Sequence, residues 1–242
     1  MFPVRDELAP LRASYVSWMI IAGTVIAYLL WQLPGEPDIV YEATVIPCEV
    51  TTGEPLSLEE IRGAACDRDG NPVFPEKDPW LGLLVSIILH GGWVHLGFNM
   101  WSLSIFGNNV EDAFGHIGYL GLYAAAGAAG SFAHVLGNPS STVPLVGASG
   151  AIAGVMGAYI VLYPRARIVS FIWPLFFFQF RVPAWVFLGF WFLSQFFIAD
   201  ASIAWLAHVG GFVVGVGGAL VFRERTQHRL ARLRARAFRR RR

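Results

Sequence analysis

The sequence predicts an all-α polytopic membrane protein built from six transmembrane helices. Hydrophobic residues make up 55% of its 242 residues, charged residues only 14%, and mean hydropathy is +0.51. The apolar residues gather into six runs separated by polar, glycine- or proline-bearing stretches, and a membrane span needs roughly 20 mostly apolar residues. Two of the runs carry an isolated serine or histidine, polar groups that are costly in hydrocarbon and usually functional there.

Taken in order, the first span, 14–32, is the cleanest. The chain continues Trp31-Gln32-Leu33-Pro34 without a small-x-small cleavage site, so the run reads as an uncleaved span rather than a signal peptide. Asp6 and Glu7 argue against a mitochondrial transit peptide. A long loop, 33–80, follows. The remaining spans are expected at 93–109, 116–136, 149–163, 183–199 and 202–222. The fourth is short, which suits a helix that starts below the membrane surface. Segment 167–181 has Pro174 among aromatic and β-branched residues and an arginine at each end. It is expected to be an interfacial hairpin or bent loop, not a seventh span. Residues 1–222 should form one helical domain, and 223–242 a basic tail too short and too charged to fold alone.

Charge orients the bundle. Residues 33–78 hold eleven acidic and three basic side chains, whereas 223–242 hold ten arginines and one glutamate. The positive-inside rule puts both termini and the 164–182 loop in the cytoplasm of a plasma or inner membrane, with the acidic loop outside. An even number of spans agrees. Net charge is only +1, so the arginine tail is a local feature. It is either a solvated topology signal or a segment drawn to anionic lipid headgroups; nucleic-acid binding has no supporting motif. Cys48 and Cys66 both lie in the outer loop, where disulfides are permitted. The sequence leaves open whether they pair or remain free thiols; a bridge would contribute about 3 kcal/mol.

This topology brings polar residues to one level. Spans two, four and six all run from outside to inside. His95 is in the first turn of span two, Ser149 opens span four, and His208 is within two turns of the start of span six. Asn99 shares a helix face with His95 and lies about 6 Å deeper. A hydroxyl beside an imidazole is a minimal activated nucleophile. Ser149 is therefore the candidate nucleophile and His208 its general base. His95, Asn99 and the Ser149 backbone N–H are candidate donors to an oxyanion, with the helix dipole favouring negative charge there. The bland alternatives are a packing pair for His95 and Asn99 and a small residue in a glycine seam for Ser149. Span four reads Gly150, Ala153, Gly154, Gly157, Ala158, and span six Ala207, Gly211, Gly215, Gly218. Small residues at intervals of three and four let backbones approach closely, which a buried dyad needs. No acidic residue is placed to complete a triad; Asp200 is two turns or more from His208.

These residues resemble the rhomboid intramembrane serine proteases. The resemblance is carried by His90-Gly-Gly-Trp-Val-His95-Leu-Gly-Phe-Asn99, Gly107-Asn-Asn-Val-Glu111-Asp112, Gly147-Ala-Ser149-Gly150 and Ala207-His208-Val-Gly-Gly211, in this order and spacing. It extends from the first span to about residue 222. It implies a six-helix rhomboid-like bundle whose Ser149–His208 dyad cleaves transmembrane segments of other membrane proteins without cofactor or metal. It further implies His95 and Asn99 at the oxyanion hole, and structural roles for Glu111, Gly147, Gly150 and Gly211. Some members have a tyrosine one turn after the serine that stacks on the histidine; here that position is Ala153, so Trp205 or packing alone is expected to orient His208. The partners implied are transmembrane substrates and the lipid bilayer. The alternative is a rhomboid-like protein that binds membrane clients without cutting them, although such proteins typically lack the serine, the histidine or both.

Rival chemistries fit poorly. Position 151 is alanine, so 147–151 is not the G-x-S-x-G elbow, and no G-K-[ST] follows to make a phosphate loop. His90, His95, His134 and His208 are not arranged as H-E-x-x-H. Span five carries Trp185, Phe187, Phe190, Trp191, Phe192, Phe196 and Phe197. Such bulk keeps backbones apart, which predicts a lateral gate between spans two and five involving Phe98, Phe190 and Trp191; the alternative is that these aromatics simply face lipid.

Overall fold

A computed structural model describes residues 2–35, 38–68, 70–172, 175–197 and 204–240. The chain is mostly helical. Strand β1 (Phe2–Asp6) precedes α1 (Tyr15–Ala27), which continues through a π-helical turn (Tyr28–Gln32) into α2 (Leu33–Gly35). The long loop folds into α3 (Asp38–Ala43), α4 (Pro47–Thr52), α5 (Leu58–Gly63) and α6 (Gly82–Val85). Then come α7 (Trp93–Phe114), α8 (His116–Gly137), α9 (Ser149–Leu162), β2 (Arg167–Ile172), β3 (Leu175–Pro183), α10 (Ala184–Ser194), a 3-10 turn (Gln195–Phe197), α11 (Trp205–Val221) and α12 (Arg223–Arg240).

Helix α9 is the centre of the bundle, buried from Gly150 to Tyr159 and packed by α7, α8, α10 and α11. Its glycines explain how. A Cβ built on Gly211 would overlap the Gly150 carbonyl oxygen, one on Gly215 the Gly154 carbonyl, and one on Gly157 the Phe212 carbonyl. Helices α9 and α11 therefore touch backbone to backbone, as the small-residue spacing predicts.

Among the described residues, two helices, Tyr15–Gly35 and His116–Gly137, are long and apolar enough to cross a membrane. A third is added if Trp205–Val221 and Arg223–Arg239, bent by 72°, count as one span. Ser149–Leu162 and Ala184–Phe197 are apolar but shorter; at 1.5 Å per residue α9 covers only about 21 Å of a hydrocarbon core of about 30 Å.

The second expected span ends later than 109, because α7 runs on to Phe114. Three polar residues near its end, Asn109, Glu111 and Asp112, are satisfied rather than exposed. Asn109 Nδ2 donates to Asp6 Oδ2 at 2.7 Å, and the Tyr163 hydroxyl donates to the Asn109 carbonyl at 2.9 Å. Asp112 accepts the Leu11 N–H at 2.6 Å. Glu111 accepts the N–H groups of Val16 and Ser17 at 3.0 and 2.8 Å and the Ser17 hydroxyl at 2.7 Å. Those N–H groups belong to the unpaired first turn of α1, so Glu111 caps that helix from across the bundle and complements its dipole. Helix α7 stops at Gly115, whose φ of 75° suits glycine.

A further correction concerns the fold class. The protein is not all-α: β1, β2 and β3 form an antiparallel sheet in that order, with Arg5 opposite Val169 and Ile168 opposite Val182. Ile168 and Val169 are buried by it. Segment 167–181 is thus a β-hairpin; Trp173 and Pro174 lie outside the described residues. So does 198–203, where span five was expected to end and span six to begin. The basic stretch after 222 does not stand alone but packs as a helix against the bundle. Helix α12 buries Thr226, Leu230 and Leu233, which share one face at spacings of four and three, and Arg229 Nε donates to the Asp112 carbonyl at 2.9 Å.

The long loop is a lobe closed by a Cys48–Cys66 disulfide. Ser57 and Glu60 form a capping box at the start of α5, and Lys77 pairs with Glu49 out of water. The lobe is tied to the segment that leads into α9. Leu145 N–H donates to the Val45 carbonyl, Cys48 N–H to the Ser141 carbonyl and Gly147 N–H to the Ser86 carbonyl, each at 2.9 Å.

Candidate active site

Ser149 owes its position to Gly147. That residue has a φ of 124°, and a Cβ on it would meet His95 Cε1 at 2.6 Å and Nε2 at 2.8 Å. Glycine alone lets the chain turn sharply here and begin α9 with Ser149 in its first turn. From α11, carried in by the glycine seam, His208 reaches back so that its Nε2 lies 2.9 Å from Ser149 Oγ.

The other face of His208 is held by a residue that sequence reasoning missed. Gln195 Oε1 lies 2.7 Å from His208 Nδ1, and Gln195 Nε2 donates to the Trp191 carbonyl at 3.0 Å. A carbonyl can only accept, so the NH2 end of the buried Gln195 amide must face Trp191 and its oxygen must face the imidazole. That oxygen in turn only accepts, so the proton is on Nδ1. Nε2 is left as a lone pair facing the Ser149 hydroxyl. The Trp191 ring lies beside the imidazole, centroids 5.9 Å apart. Trp205 does not orient His208: it packs on Phe196 at 5.8 Å. No periodicity signals Gln195, which sits in the 3-10 turn after α10 and is separated from α11 by 198–203.

His95 and Asn99 are on the same cavity. The Gly91 N–H donates to His95 Nδ1 at 3.3 Å, so Nε2 carries the ring proton and points past Gly147. Asn99 Nδ2 donates one hydrogen to the His95 carbonyl at 3.0 Å, which leaves its second hydrogen for the cavity. Behind them, Gln32 clamps the backbone of His90, accepting from its N–H at 2.8 Å and donating to its carbonyl. This fixes the start of the His90–Asn99 segment against the end of α1.

The cavity measures about 800 Å³ and is lined by Ser149, His208, His95, Asn99, Phe98 and Trp191 among others, with His134 on its rim. Residues of both α7 and α10 line it, among them Phe106 and Phe187, which stack with centroids 6.4 Å apart. Of the three residues expected at a gate, Phe98 and Trp191 line the cavity, whereas Phe190 is not on its wall and is 67% exposed. Gly150 and Gly211 belong to the seam between α9 and α11, and Glu111 lies at the far end of α7.

A hydroxyl in contact with the lone pair of an oriented imidazole is the pairing that a nucleophile and its general base require. A family model described as the Rhomboid domain matches residues 77–225, and the chain belongs to the rhomboid family of membrane-embedded proteins. It is 34% identical over 167 residues to Rhomboid protease GluP of Bacillus subtilis, covering 65% of this chain and 30% of that protein. It is 30% identical over 145 residues to Rhomboid protein 1, mitochondrial, of Saccharomyces cerevisiae, covering 56% and 40% respectively. With YdcA of Bacillus subtilis it shares 37% over 152 residues, covering 63% and 64%. The chain thus spans between 30% and 64% of the length of these relatives.

Proposed function

We propose that the protein is an intramembrane serine endopeptidase that hydrolyses peptide bonds in or near transmembrane segments of membrane proteins. The observation that carries this reading is the 2.9 Å contact between Ser149 Oγ and His208 Nε2, with Gln195 fixing the tautomer. In the first half-reaction His208 takes the hydroxyl proton as Oγ attacks the scissile carbonyl. The oxyanion is received by the Ser149 N–H, His95 Nε2–H and the free hydrogen of Asn99 Nδ2. The imidazolium then protonates the leaving amine, and water, activated by the same base, releases the acyl group. A dyad suffices because Gln195 supplies the orientation that a carboxylate gives in a triad. The proposal places six membrane-crossing segments in a plasma or inner membrane, with α9 starting below the surface and both termini in the cytoplasm. Substrate enters between α7 and α10, past Phe98 and Trp191.

The test is cleavage of a model single-span substrate by the purified protein in liposomes. Ser149→Ala and His208→Ala should remain folded and inactive, a serine-directed fluorophosphonate should label Ser149, and chelators should change nothing. Substrate capture without cleavage by the unmodified protein would favour a client-binding role instead.

A further inference from the structure

At the end of the bundle remote from Ser149, a second cavity of about 980 Å³ opens between α8, α11 and α12. It has two unlike halves. Leu122, Ala125, Val214 and Phe222 form an apolar wall, while Arg12, Arg225, Arg229, Arg232 and Arg236 surround the mouth. The four α12 arginines recur at spacings of four and three, so one stripe of that helix faces the cavity. The stripe is held in place by the adjacent buried seam of Thr226, Leu230 and Leu233. Among the described residues, none of the five arginines forms a salt bridge. The nearest carboxylate, Asp112, feels the charge of Arg12 and Arg229, but its oxygen is engaged by the Leu11 N–H. Arg229 spends one donor on the Asp112 carbonyl; a guanidinium has five. On the apolar side there is room: a Cβ on Gly121 of α8 would meet nothing within 4 Å.

An apolar groove that ends in unpaired guanidinium groups is complementary to an amphiphile with an anionic head. We propose that this cavity is a binding site for one anionic phospholipid. Its phosphate is held by Arg229, Arg232 and Arg236, and its acyl chains run along α8 and α11. Basic pockets between membrane helices recognise anionic headgroups in this way, and guanidinium forks match phosphate oxygens. Val214, the wall residue of α11 nearest His208 in sequence, is six residues from it, about 9 Å by helix rise, and no residue lines both cavities, so the lipid site is separate from the candidate active site.

The experiment is native mass spectrometry of the purified full chain in neutral detergent, titrated with phosphatidylglycerol, with phosphatidylcholine of the same acyl chains, and with glycerol 3-phosphate. One saturable phosphatidylglycerol is expected, with weaker phosphatidylcholine and no measurable glycerol 3-phosphate. Arg232→Gln/Arg236→Gln should weaken phosphatidylglycerol about 30-fold, since each cation near an anionic headgroup contributes about five-fold. Arg223→Gln/Arg239→Gln removes the same charge from positions off the cavity and should change binding less than about three-fold. Gly121→Leu, which fills the apolar wall and leaves every arginine in place, should also weaken it. Equal binding of both lipids, equal loss in the two double variants, or indifference to Gly121→Leu would each overturn the proposal. Glycerol 3-phosphate binding as tightly as phosphatidylglycerol would assign the arginines to a free phosphate ester instead.

Discussion

Gly211→Ala is expected to disable the protein without dismantling it. The added methyl group would overlap the Gly150 carbonyl oxygen, with the carbonyl carbon at 2.8 Å behind it. Both are backbone atoms of α9, so nothing can rotate away. Carbon–oxygen contacts settle at about 3.3 Å or beyond, so α11 must retreat by about an ångström or more. His208 is one turn away on the same helix, and its 2.9 Å contact with Ser149 leaves no such slack. Misplacement of about 1 Å can cost on the order of 100-fold in rate, while overpacking of this kind costs about 1–3 kcal/mol of stability. Gly217→Ala is the matched control: it lies on the same helix and an added Cβ meets nothing within 4 Å. Cleavage of a single-span substrate and thermal unfolding should be measured on both variants. A wild-type rate for Gly211→Ala, or equal inactivation by Gly217→Ala, would refute the claim that backbone contact positions the dyad.

Four other outcomes are expected. Gln195→Ala should lower kcat about 10- to 100-fold with KM unchanged, because it frees the imidazole tautomer and not the substrate contacts; a rise in KM alone would show that Gln195 acts on substrate. Phe98→Ala should speed cleavage of membrane substrates, whereas Phe190→Ala, at a position that is exposed and does not line the cavity, should leave the rate alone; equal effects would move the gate. Cys48→Ser/Cys66→Ser should destabilise the outer lobe by about 3 kcal/mol, read as faster hydrogen exchange at 44–68. The fourth concerns pH. Burial pushes the Glu60 carboxyl up, but the Ser57 and Arg68 N–H groups outweigh it and hold the carboxyl below its ordinary value of 4.5. A depressed carboxylate contributes stability that is complete above about 4.5 and is lost as pH falls through the folded value. Exchange in α5 should therefore accelerate on acidification below that point, and Glu60→Gln should flatten the dependence; an unchanged profile in the variant would exclude Glu60 as its source.

What could be read from the sequence follows from where each signal resides. Ser149 and His208 stand out because isolated polar groups in apolar helices are rare, and the glycine spacing announces the contact between their helices. Gln195 is invisible for the opposite reason: a glutamine near a helix end is unremarkable until the fold brings His208 to it. The end of α7 was misjudged because Asn109, Glu111 and Asp112 resemble an exit from the membrane, yet partners distant in sequence satisfy them. The sheet escaped notice because β1 is short and its partner β2 lies beyond α9, so no local pattern pairs them. The tail was read from its charge, which concealed the seam of Thr226, Leu230 and Leu233.

The ties between the outer lobe and the 141–147 segment set an order of assembly. The lobe emerges during synthesis before α7, yet Val45, Cys48 and Ser86 find their backbone partners only in the segment after α8. β1, which precedes α1, waits still longer for β2, and His208 arrives with α11. The early part of the chain is thus held in suspense until the later part is inserted. His208 lies 59 residues beyond Ser149, so the two meet only after α9, the hairpin, α10 and α11 have all been made. A truncated product that lacks α11 would hold Ser149 without the imidazole that contacts it.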